Sequence, residues 1–293
     1  MRFLDVKTDY AFKKVFGSIE SKNILMSFLN ALVYDDSKVK IKDLEIVDPY
    51  NIPMIKGVKD TFVDVKAVLD NDTTVIIEMQ VLNHKGFEKR VLYNAAKNYS
   101  VQLNKGEDYH LLNPVIALSI VDFTMFEEND NVINRFKLIE KETFINYNDD
   151  IELIFIELPK FKKSLQQLKD IKEQWIYFVN NAGSLEYIPK DLDAHIKIAL
   201  QNINEANMSK DELEAQHKRK EFISIQKLAL LKADEDGFEK GLEQGLEKGI
   251  EQGKELGKKE EKLEIARNLL KAGVSKDVVK ATTNLSDADM EEL

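Results

Sequence analysis

The sequence predicts an α/β or α+β domain that is followed by a helical extension. Two helical patterns open the chain, and three strand-like segments come after them. A further helical segment leads to two apolar segments, 114–121 and 151–158, that have the length and composition of buried strands. From residue 160 onward the pattern is almost entirely helical. This order of elements is typical of a sheet with helices packed against it.

The elements at the start of the chain are predicted from capping and periodicity. Thr8 can cap a short helix that ends at Gly17. A second helix is expected at 21–34, where apolar residues recur three and four positions apart. Leu44–Val47 is then predicted as a strand and 50–57 as a loop.

The middle of the chain predicts a hairpin and a helix. Residues 61–69 and 73–82 give the strongest strand signals, and the three residues between them, Asp-Asn-Asp at 70–72, favour a turn. Residues 84–105 carry a helical stripe of apolar side chains, and Gly106 stands where a C-terminal cap belongs.

The C-terminal region is predicted to be helical and contains one internal repeat. Ser209 and Glu212 form a capping box. Residues 263–293 are expected to form two or three short helices, broken at Gly273. Between these regions glycine recurs at every fourth residue, at Gly237, Gly241, Gly245, Gly249, Gly253 and Gly257.

Composition and charge narrow the class of protein. The chain has 293 residues, no cysteine and a formal net charge of −10. Disulfides and cysteine-ligated zinc are therefore excluded, and the charge argues against a surface that binds polyanions in general. The N-terminus lacks the apolar run of a signal peptide, and the longest uncharged stretch, around 111–121, is too short to cross a bilayer. We expect a soluble, cytoplasmic protein.

The predicted hairpin carries the residues with a chemical signal. In each strand one face is apolar, and the other face carries acids and amides among hydrophobic residues. On the second strand the polar face includes Glu78 and Gln80. On the first strand the apolar face is Val63, Val65, Ala67 and Leu69, and the other face is Phe62, Asp64, Lys66 and Val68.

A three-residue turn would place Asp64 opposite Glu78 and Phe62 opposite Gln80. Two carboxylates in that position repel each other unless they share a proton or bind a cation. Oxygen ligands without cysteine or a histidine cluster favour a hard cation, Mg²⁺ or Mn²⁺. Two alternatives stay open: a two-residue turn would move Asp64 to the other face, and both acids could lie on a solvated face. The apolar run 75–77 weakens the second alternative, because acids in a buried strand need a reason.

The ordered motif Asp64…Glu78-x-Gln80 resembles the PD-(D/E)xK nuclease superfamily, in the variant where glutamine replaces the usual lysine. The surrounding segments are similar to the recombination-promoting nuclease family, also called PD-(D/E)xK family transposases. These segments are KTDYAFKKVFG at 7–17, FLN at 28–30, IEMQ at 77–80 and the pair Arg90 and Tyr93. The similarity is strong over residues 1–160, and the glycine repeat and short C-terminal helices also resemble that family's tails.

The resemblance implies a restriction-endonuclease-like core and a bacterial, Mg²⁺-dependent DNA endonuclease linked to recombination or mobile elements. Asp64 and Glu78 match the metal ligands, and Gln80 matches the third catalytic position. Val63 stands where the superfamily has its name-giving proline, which the chemistry does not need. The expected domains are a nuclease core at 1–160, a helical extension at 161–233, a glycine-repeat helix at 234–262 and a helical module at 263–293.

The replacement of lysine removes a positive charge from the motif, because Gln80 can hydrogen-bond water but is neutral. The missing cation is expected from Lys66, one pleat from Asp64 on the same face, or from Arg90 in the following helix. The resemblance also implies substrate contacts for Arg90, Tyr93 and Lys13. The plainer alternatives are a solvated helix face for the first two and an ordinary i,i+4 ion pair for Lys13.

The glycine repeat predicts a homo-oligomer, because each glycine costs a helix about 1 kcal/mol relative to alanine and therefore needs a compensating contact. Apolar residues at the same spacing support close helix approach, and a frayed linker is the alternative. The tail at 265–293, which ends in acidic residues, is expected to be a packing or regulatory module.

The predicted function is a metal-dependent DNA endonuclease. The alternatives are a catalytically weak nucleic-acid-binding accessory protein of a mobile element, or a nuclease that acts on RNA.

Overall fold

The computed structural model describes residues 1–35, 37, 40–51, 61–291 and 293. Within these residues the chain divides into two compact units, Met1–Gln226 and Lys227–Leu293. The first unit contains the described strands, and the second unit is helical.

Strands and helices are mixed along the first unit. The strands are β1 (Leu44–Val47), β2 (Tyr50–Asn51), β3 (Thr61–Phe62), β4 (Val65–Leu69), β5 (Thr74–Gln80), β6 (Val115–Val121), β7 (Ile133–Phe136) and β8 (Ile151–Glu157). The helices are α1 (Asp9–Phe16), α2 (Lys22–Leu32), α3 (Phe87–Ser100), α4 (Ile171–Asn181) and α5 (Ala194–Asn202). Helix α6 (Lys210–Lys271) continues into the second unit, which also contains α7 (Lys276–Thr283) and α8 (Asp287–Glu291).

Six strands form one mixed sheet in the order β1-β4-β5-β6-β8-β7. The strands β5, β6 and β8 are parallel to one another, whereas the other neighbouring pairs are antiparallel. Every residue of β6 is buried, as expected for a parallel strand that is covered on both faces. Strands β2 and β3 form a separate antiparallel pair.

Helices cover both faces of the sheet. On one face α1, α2, α4 and α5 enclose the main core, where the Trp175 ring packs against Phe16 and Phe28. On the other face α3 contributes Val91 and Ala95 to a second core. This mixed sheet with helices on both faces confirms the predicted α/β class.

The first strand of the predicted hairpin is interrupted. Residues 61–69 were expected to be continuous, but Phe62 pairs with Tyr50 in the small β2–β3 sheet. The chain bends at Val63 and Asp64 before β4 begins. Val63 consequently packs in the second core, and the prediction that it shares an apolar face with Val65 is wrong.

Three smaller features of the structure differ from the predictions. Helix α3 ends at Ser100, well before Gly106. Thr8 precedes α1 as predicted, but its hydroxyl donates to Asp5 O and Gln216 Oε1 instead of capping the helix. The sequence does not predict β7, which is short and partly exposed. Apart from its β2 residues, the predicted loop at 50–57 lies outside the described residues.

The second unit has a small core of its own, formed by Ala266, Val279, Leu285 and Met290. Gly273 adopts a left-handed φ of 86° after the end of α6, as the predicted helix break requires. Across the described parts of the chain, no helix is long and apolar enough to span a membrane. The predicted domain boundaries at 160, 233 and 262 stay predictions.

Candidate active site

The β4–β5 hairpin brings two carboxylates together. Val65 pairs with Ile77, and the Asp64 N–H donates to Ile77 O at 3.1 Å, so that Asp64 lies opposite Glu78. Asp64 Oδ2 also accepts the Met79 N–H at 2.8 Å. The Asp64 side chain is thus held against β5, although Asp64 itself comes just before the start of β4.

The turn at 70–72 sets this register. The Leu69 N–H donates to Thr73 O at 2.9 Å, and Asp72 takes the left-handed φ of 62° that a three-residue turn needs. The turn therefore has three residues, as predicted, and the two acids lie opposite each other, as predicted. The expected position of Phe62 opposite Gln80 is wrong, because the bend before β4 diverts Phe62 to β2.

Arg90 of α3 reaches back to the polar face of β5. Its Nη2 donates to Glu78 Oε1 and, at 2.8 Å, to Gln80 Oε1. The Gln80 amide is itself oriented, because its Nε2 donates to Leu82 O at 2.6 Å. The guanidinium carbon also lies 5.3 Å from the centre of the Phe87 ring. Gln80 and Phe87 together hold a cation against Glu78.

The other two predicted cations lie in different surroundings. Lys13 Nζ is 3.9 Å from Asp64 Oδ1, and its side chain is 52% exposed, so α1 borders the two acids. Lys66 lies opposite Ile76 in β5. Burial lowers the pKa of Lys66, and the charge of Asp48 opposes that shift.

The first turns of α6 contact α1 beside the site, which the sequence does not predict. Arg219 Nη2 lies 3.0 Å from Asp9 Oδ2, and the Tyr10 hydroxyl donates to Glu212 Oε1. No motif in the sequence marks Arg219, because its pairing with Asp9 spans 210 residues. A cation from α6 therefore lies next to the helix that carries Lys13.

The two acids are held in an environment that disfavours their ionised forms. Their side chains are 16% and 15% exposed for Asp64 and Glu78. Burial raises the pKa of Asp64, and the Met79 N–H and the Lys13 charge only partly oppose the shift. Burial also raises the pKa of Glu78, where repulsion from Asp64 adds to the shift and Arg90 opposes it. Acids with raised pKa values are concentrated at functional sites, although ion-pair networks of structural origin shift pKa values too.

The donor set fits a hard divalent cation. In the described hydrogen bonds, the Met79 N–H uses Asp64 Oδ2 and Arg90 uses Glu78 Oε1. The other two oxygens are Glu78 Oε2 and Asp64 Oδ1, and Asp64 Oδ1 has a 3.9 Å contact with Lys13 Nζ that a metal ion could replace. Within residues 1–35, 37, 40–51, 61–291 and 293, no three His, Asp or Glu side chains gather into a metal site. Mg²⁺ commonly binds one or two carboxylates and completes its shell with water and substrate phosphate.

Buried polar groups lie behind Glu78, and the sequence analysis did not identify them. Ser119 of β6 is next to Glu78 in the sheet, and Asn94 is one helical turn after Arg90. Ser119, Asn94 and Glu78 line a small cavity. Arg90 Nε and Asn94 Oδ1 are buried without a hydrogen-bond partner in the described part of the chain. A signal was present: Asn94 interrupts the apolar face of α3.

An open cleft lies on the α3 side of Glu78. Its lining includes Arg90 and Tyr93 of α3, Phe62 of β3 and the turn that precedes α3. The Phe62 and Tyr93 side chains are 67% and 41% exposed. The predicted substrate residues Arg90 and Tyr93 thus share one cleft, whereas Lys13 contacts the site through Asp64.

The comparison with protein families agrees with this geometry. Residues 6–233 match the PD-(D/E)XK nuclease family transposase model. The chain belongs to this family. The match covers the whole sheet and the hairpin that carries Asp64 and Glu78, so the first unit is a nuclease domain by descent.

A second match identifies the end of the chain. Residues 259–293 match the C-terminal HTH domain of the Rpn/YhgA-like nuclease family. They include the end of α6 together with α7 and α8. The glycine repeat lies between the two matches. Searches among curated proteins and among solved structures found no match.

Proposed function

We propose that this protein is a divalent-metal-dependent endonuclease that hydrolyses DNA phosphodiester bonds in recombination or in the movement of mobile elements. Mg²⁺ is the proposed cofactor, and Mn²⁺ is a proposed substitute. The observation that carries the proposal is the opposition of Asp64 and Glu78, with Arg90 held between Glu78 and Gln80. Membership of a nuclease family supports the reaction class.

The two acids would hold the metal, and Arg90 would supply the charge that the motif lacks. A divalent cation bound there lowers the pKa of water and neutralises charge on the phosphate. Arg90 presents several N–H donors, so it can bind phosphate oxygens as substrate enters. Gln80 positions Arg90, since its amide oxygen accepts from Nη2. This geometry favours Arg90 over Lys66 as the replacement cation.

Lys13 has a separate proposed role. Its ammonium group lies 3.9 Å from Asp64 Oδ1 and comes from α1, whereas Arg90 contacts Glu78 from α3. A DNA phosphate next to the scissile one can replace the weak, half-exposed interaction with Asp64. Lys13 would therefore bind substrate and contribute little to the chemical step.

Nicking of supercoiled plasmid tests the nuclease and its site. With Mg²⁺ the wild type should nick the plasmid, and EDTA should stop the reaction. Asp64→Ala and Glu78→Ala should each lower the rate at least 100-fold, the scale expected when charge stabilisation in a transition state is lost. The matched control is Glu45→Ala, which removes an exposed acid from β1. Unchanged nicking in both site variants would overturn the assignment.

The same preparation distinguishes the two rival functions. A catalytically weak accessory protein would bind DNA but would not nick it under any metal condition. An RNA-directed nuclease would cleave an RNA of the same sequence faster than the DNA. The acidic net charge of −10 keeps the first rival relevant, because strong DNA binding requires local basic surface.

We further propose that α6 mediates homo-oligomerisation through the glycine repeat. The apolar residues at the repeat spacing are largely exposed: Phe238 72%, Leu242 64%, Leu246 64% and Ile250 49%. Among the described residues, and apart from the helix backbone beside each glycine, a methyl group added to any of the six repeat glycines would meet no atom within 4 Å. The glycines are thus not needed for packing within one chain, and close approach of a second copy would explain them. Light scattering should give a dimer or larger species that dissociates in Leu242→Glu, and a monomeric wild type would contradict the proposal.

The C-terminal unit is proposed to add to DNA binding only weakly. Its match to an HTH domain supports DNA as a partner. However, α8 carries Asp287 and Asp289, and these acids pair with Lys280 and Lys259. Because these ion pairs engage two lysines of the unit, fewer of its cations are available to phosphate, and we propose a packing or regulatory role for it.

A further inference from the structure

We propose that the cleft beside Glu78 binds one unpaired DNA base, so that the enzyme acts on single-stranded or locally opened DNA. This inference rests on the proposed nuclease function and names its substrate class. The ligand would be a nucleotide whose phosphate lies at Arg90 and whose base enters the cleft.

The cleft combines two kinds of side chain that bind single-stranded nucleic acid. Two aromatic side chains are exposed in its lining, Phe62 at 67% and Tyr93 at 41%. Three cations, Lys85, Lys89 and Arg90, line the same cleft. Aromatic rings stack on bases, and cations follow the phosphates, which is the combination found in proteins that bind single strands.

The local charge differs from that of the whole chain. The protein carries a net charge of −10, but the cleft lining holds three permanent cations against one acid, Glu78. Glu78 is already bonded to Arg90, so the exposed Lys85 and Lys89 are the charges that a ligand would meet first. This excess of positive charge complements a phosphate backbone.

The position of the cleft determines which part of the DNA it can bind. Arg90 and Glu78 belong both to the cleft and to the candidate active site. A base that stacks in the cleft therefore belongs to the nucleotide whose phosphate lies at Arg90 and is being hydrolysed. In a duplex that base is stacked on its neighbours and paired, so it cannot present its face to Phe62 or Tyr93. An unpaired base can do so without any unstacking cost.

Fluorescence binding with the full-length protein tests the proposal without relying on cleavage. The probe is a single-stranded DNA oligonucleotide that contains one 2-aminopurine, measured in EDTA at constant salt and compared with the same strand in a duplex. The wild type should bind the single strand at least tenfold more tightly and should quench the 2-aminopurine by stacking. Phe62→Ala and Tyr93→Ala should each weaken single-strand binding about tenfold and leave duplex binding within about twofold.

Two exposed tyrosines outside the cleft provide matched controls. Tyr109 and Tyr147 are 85% and 79% exposed, so Tyr109→Ala and Tyr147→Ala should change neither affinity. Tyr93→Phe keeps the ring and should retain wild-type binding. Equal affinity for single strand and duplex, or unchanged single-strand binding in Phe62→Ala and Tyr93→Ala, would overturn the inference. If the wild type failed to nick plasmid but still preferred the single strand, only the nuclease proposal would be contradicted. If the wild type nicked plasmid but bound single strand and duplex equally, only this inference would be contradicted.

Discussion

The hairpin with Asp64 and Glu78 and the glycine repeat both contain residues that are unfavourable for the secondary structure around them. Asp64 and Glu78 are acids in a largely buried part of the sheet. The repeat places glycine every fourth residue in a helix, where alanine would be more favourable. In the hairpin the surrounding residues account for the buried acids, since Met79 and Lys13 contact Asp64 and Arg90 contacts Glu78. In the repeat no described neighbour accounts for it.

Glycines of the nuclease domain make the contrast sharper. A methyl group on Gly183 would lie 3.0 Å from Asp5 Cα, and one on Gly17 would lie 3.0 Å from Lys13 O. At these positions the fold leaves little room for a side chain. Unfavourable residues in the first unit are thus matched by contacts within the chain, whereas the repeat glycines have no such contact among the described residues.

The largest expected effect concerns the replacement cation. Arg90→Ala should lower the nicking rate about 100-fold, because it removes a donor from the phosphate and leaves Glu78 without its counterion. Lys66→Ala should stay within about threefold of the wild type, since the structure gives Arg90 the contacts to Glu78 and Gln80. The measurement is the initial nicking rate at saturating Mg²⁺. If Lys66→Ala lowered the nicking rate as much as Arg90→Ala, Lys66 would also have to be assigned to the active site.

Gly183→Ala should show that glycine is structurally required in the nuclease domain. The added methyl group has to displace Asp5 by a few tenths of an ångström, and we expect the free energy of unfolding to fall by about 1 to 2 kcal/mol. Urea denaturation followed by circular dichroism measures the change. A variant as stable as the wild type would mean that this packing is looser than the 3.0 Å approach implies.

Asp64→Asn should stabilise the protein while it impairs the reaction. Because burial raises the pKa of Asp64 in the folded state, its ionised form opposes folding at neutral pH. The neutral amide keeps an oxygen for the Met79 N–H and removes that charge, so the free energy of unfolding should rise by about 1 kcal/mol. The readout is urea denaturation at pH 7 without added metal. A less stable variant would show that Lys13 and Arg90 already compensate the charge.

The smallest expected effect is local and lies in the repeat. Gly245→Ala should stabilise the surrounding turns of α6 by about 1 kcal/mol in the monomer, because no atom opposes the added methyl group. Hydrogen exchange of nearby amides, measured at low protein concentration, should slow about fivefold. If the oligomer needs the glycines, the same variant should dissociate at a higher concentration than the wild type. An unchanged oligomer would favour the frayed-linker alternative.

The sequence alone predicts the parts of the fold that depend on neighbours along the chain. Strand β6 is evident from its apolar run and α3 from its periodic stripe, and the turn at 70–72 is sufficient to place Asp64 opposite Glu78. Each of these features depends on spacing within about twenty residues, where propensity and register dominate.

The parts that the sequence does not predict depend on distant pairings. The bend before β4 follows from the pairing of Phe62 with Tyr50, and the position of Arg219 follows from contact of α6 with α1. The burial of Asn94 likewise depends on where α3 crosses the sheet. Arg90 was one of two candidates in the sequence, and only the three-dimensional contacts of its side chain favour it over Lys66.

Anomalous diffraction from crystals soaked in Mn²⁺ would locate the metal ion of the proposed site. We expect one strong peak between the carboxylates of Asp64 and Glu78, and we expect it to be absent from crystals of the Glu78→Gln variant grown and soaked in the same way. A peak at any other group of residues, or no peak here at Mn²⁺ concentrations that support nicking, would contradict the assignment of these two acids as the metal ligands.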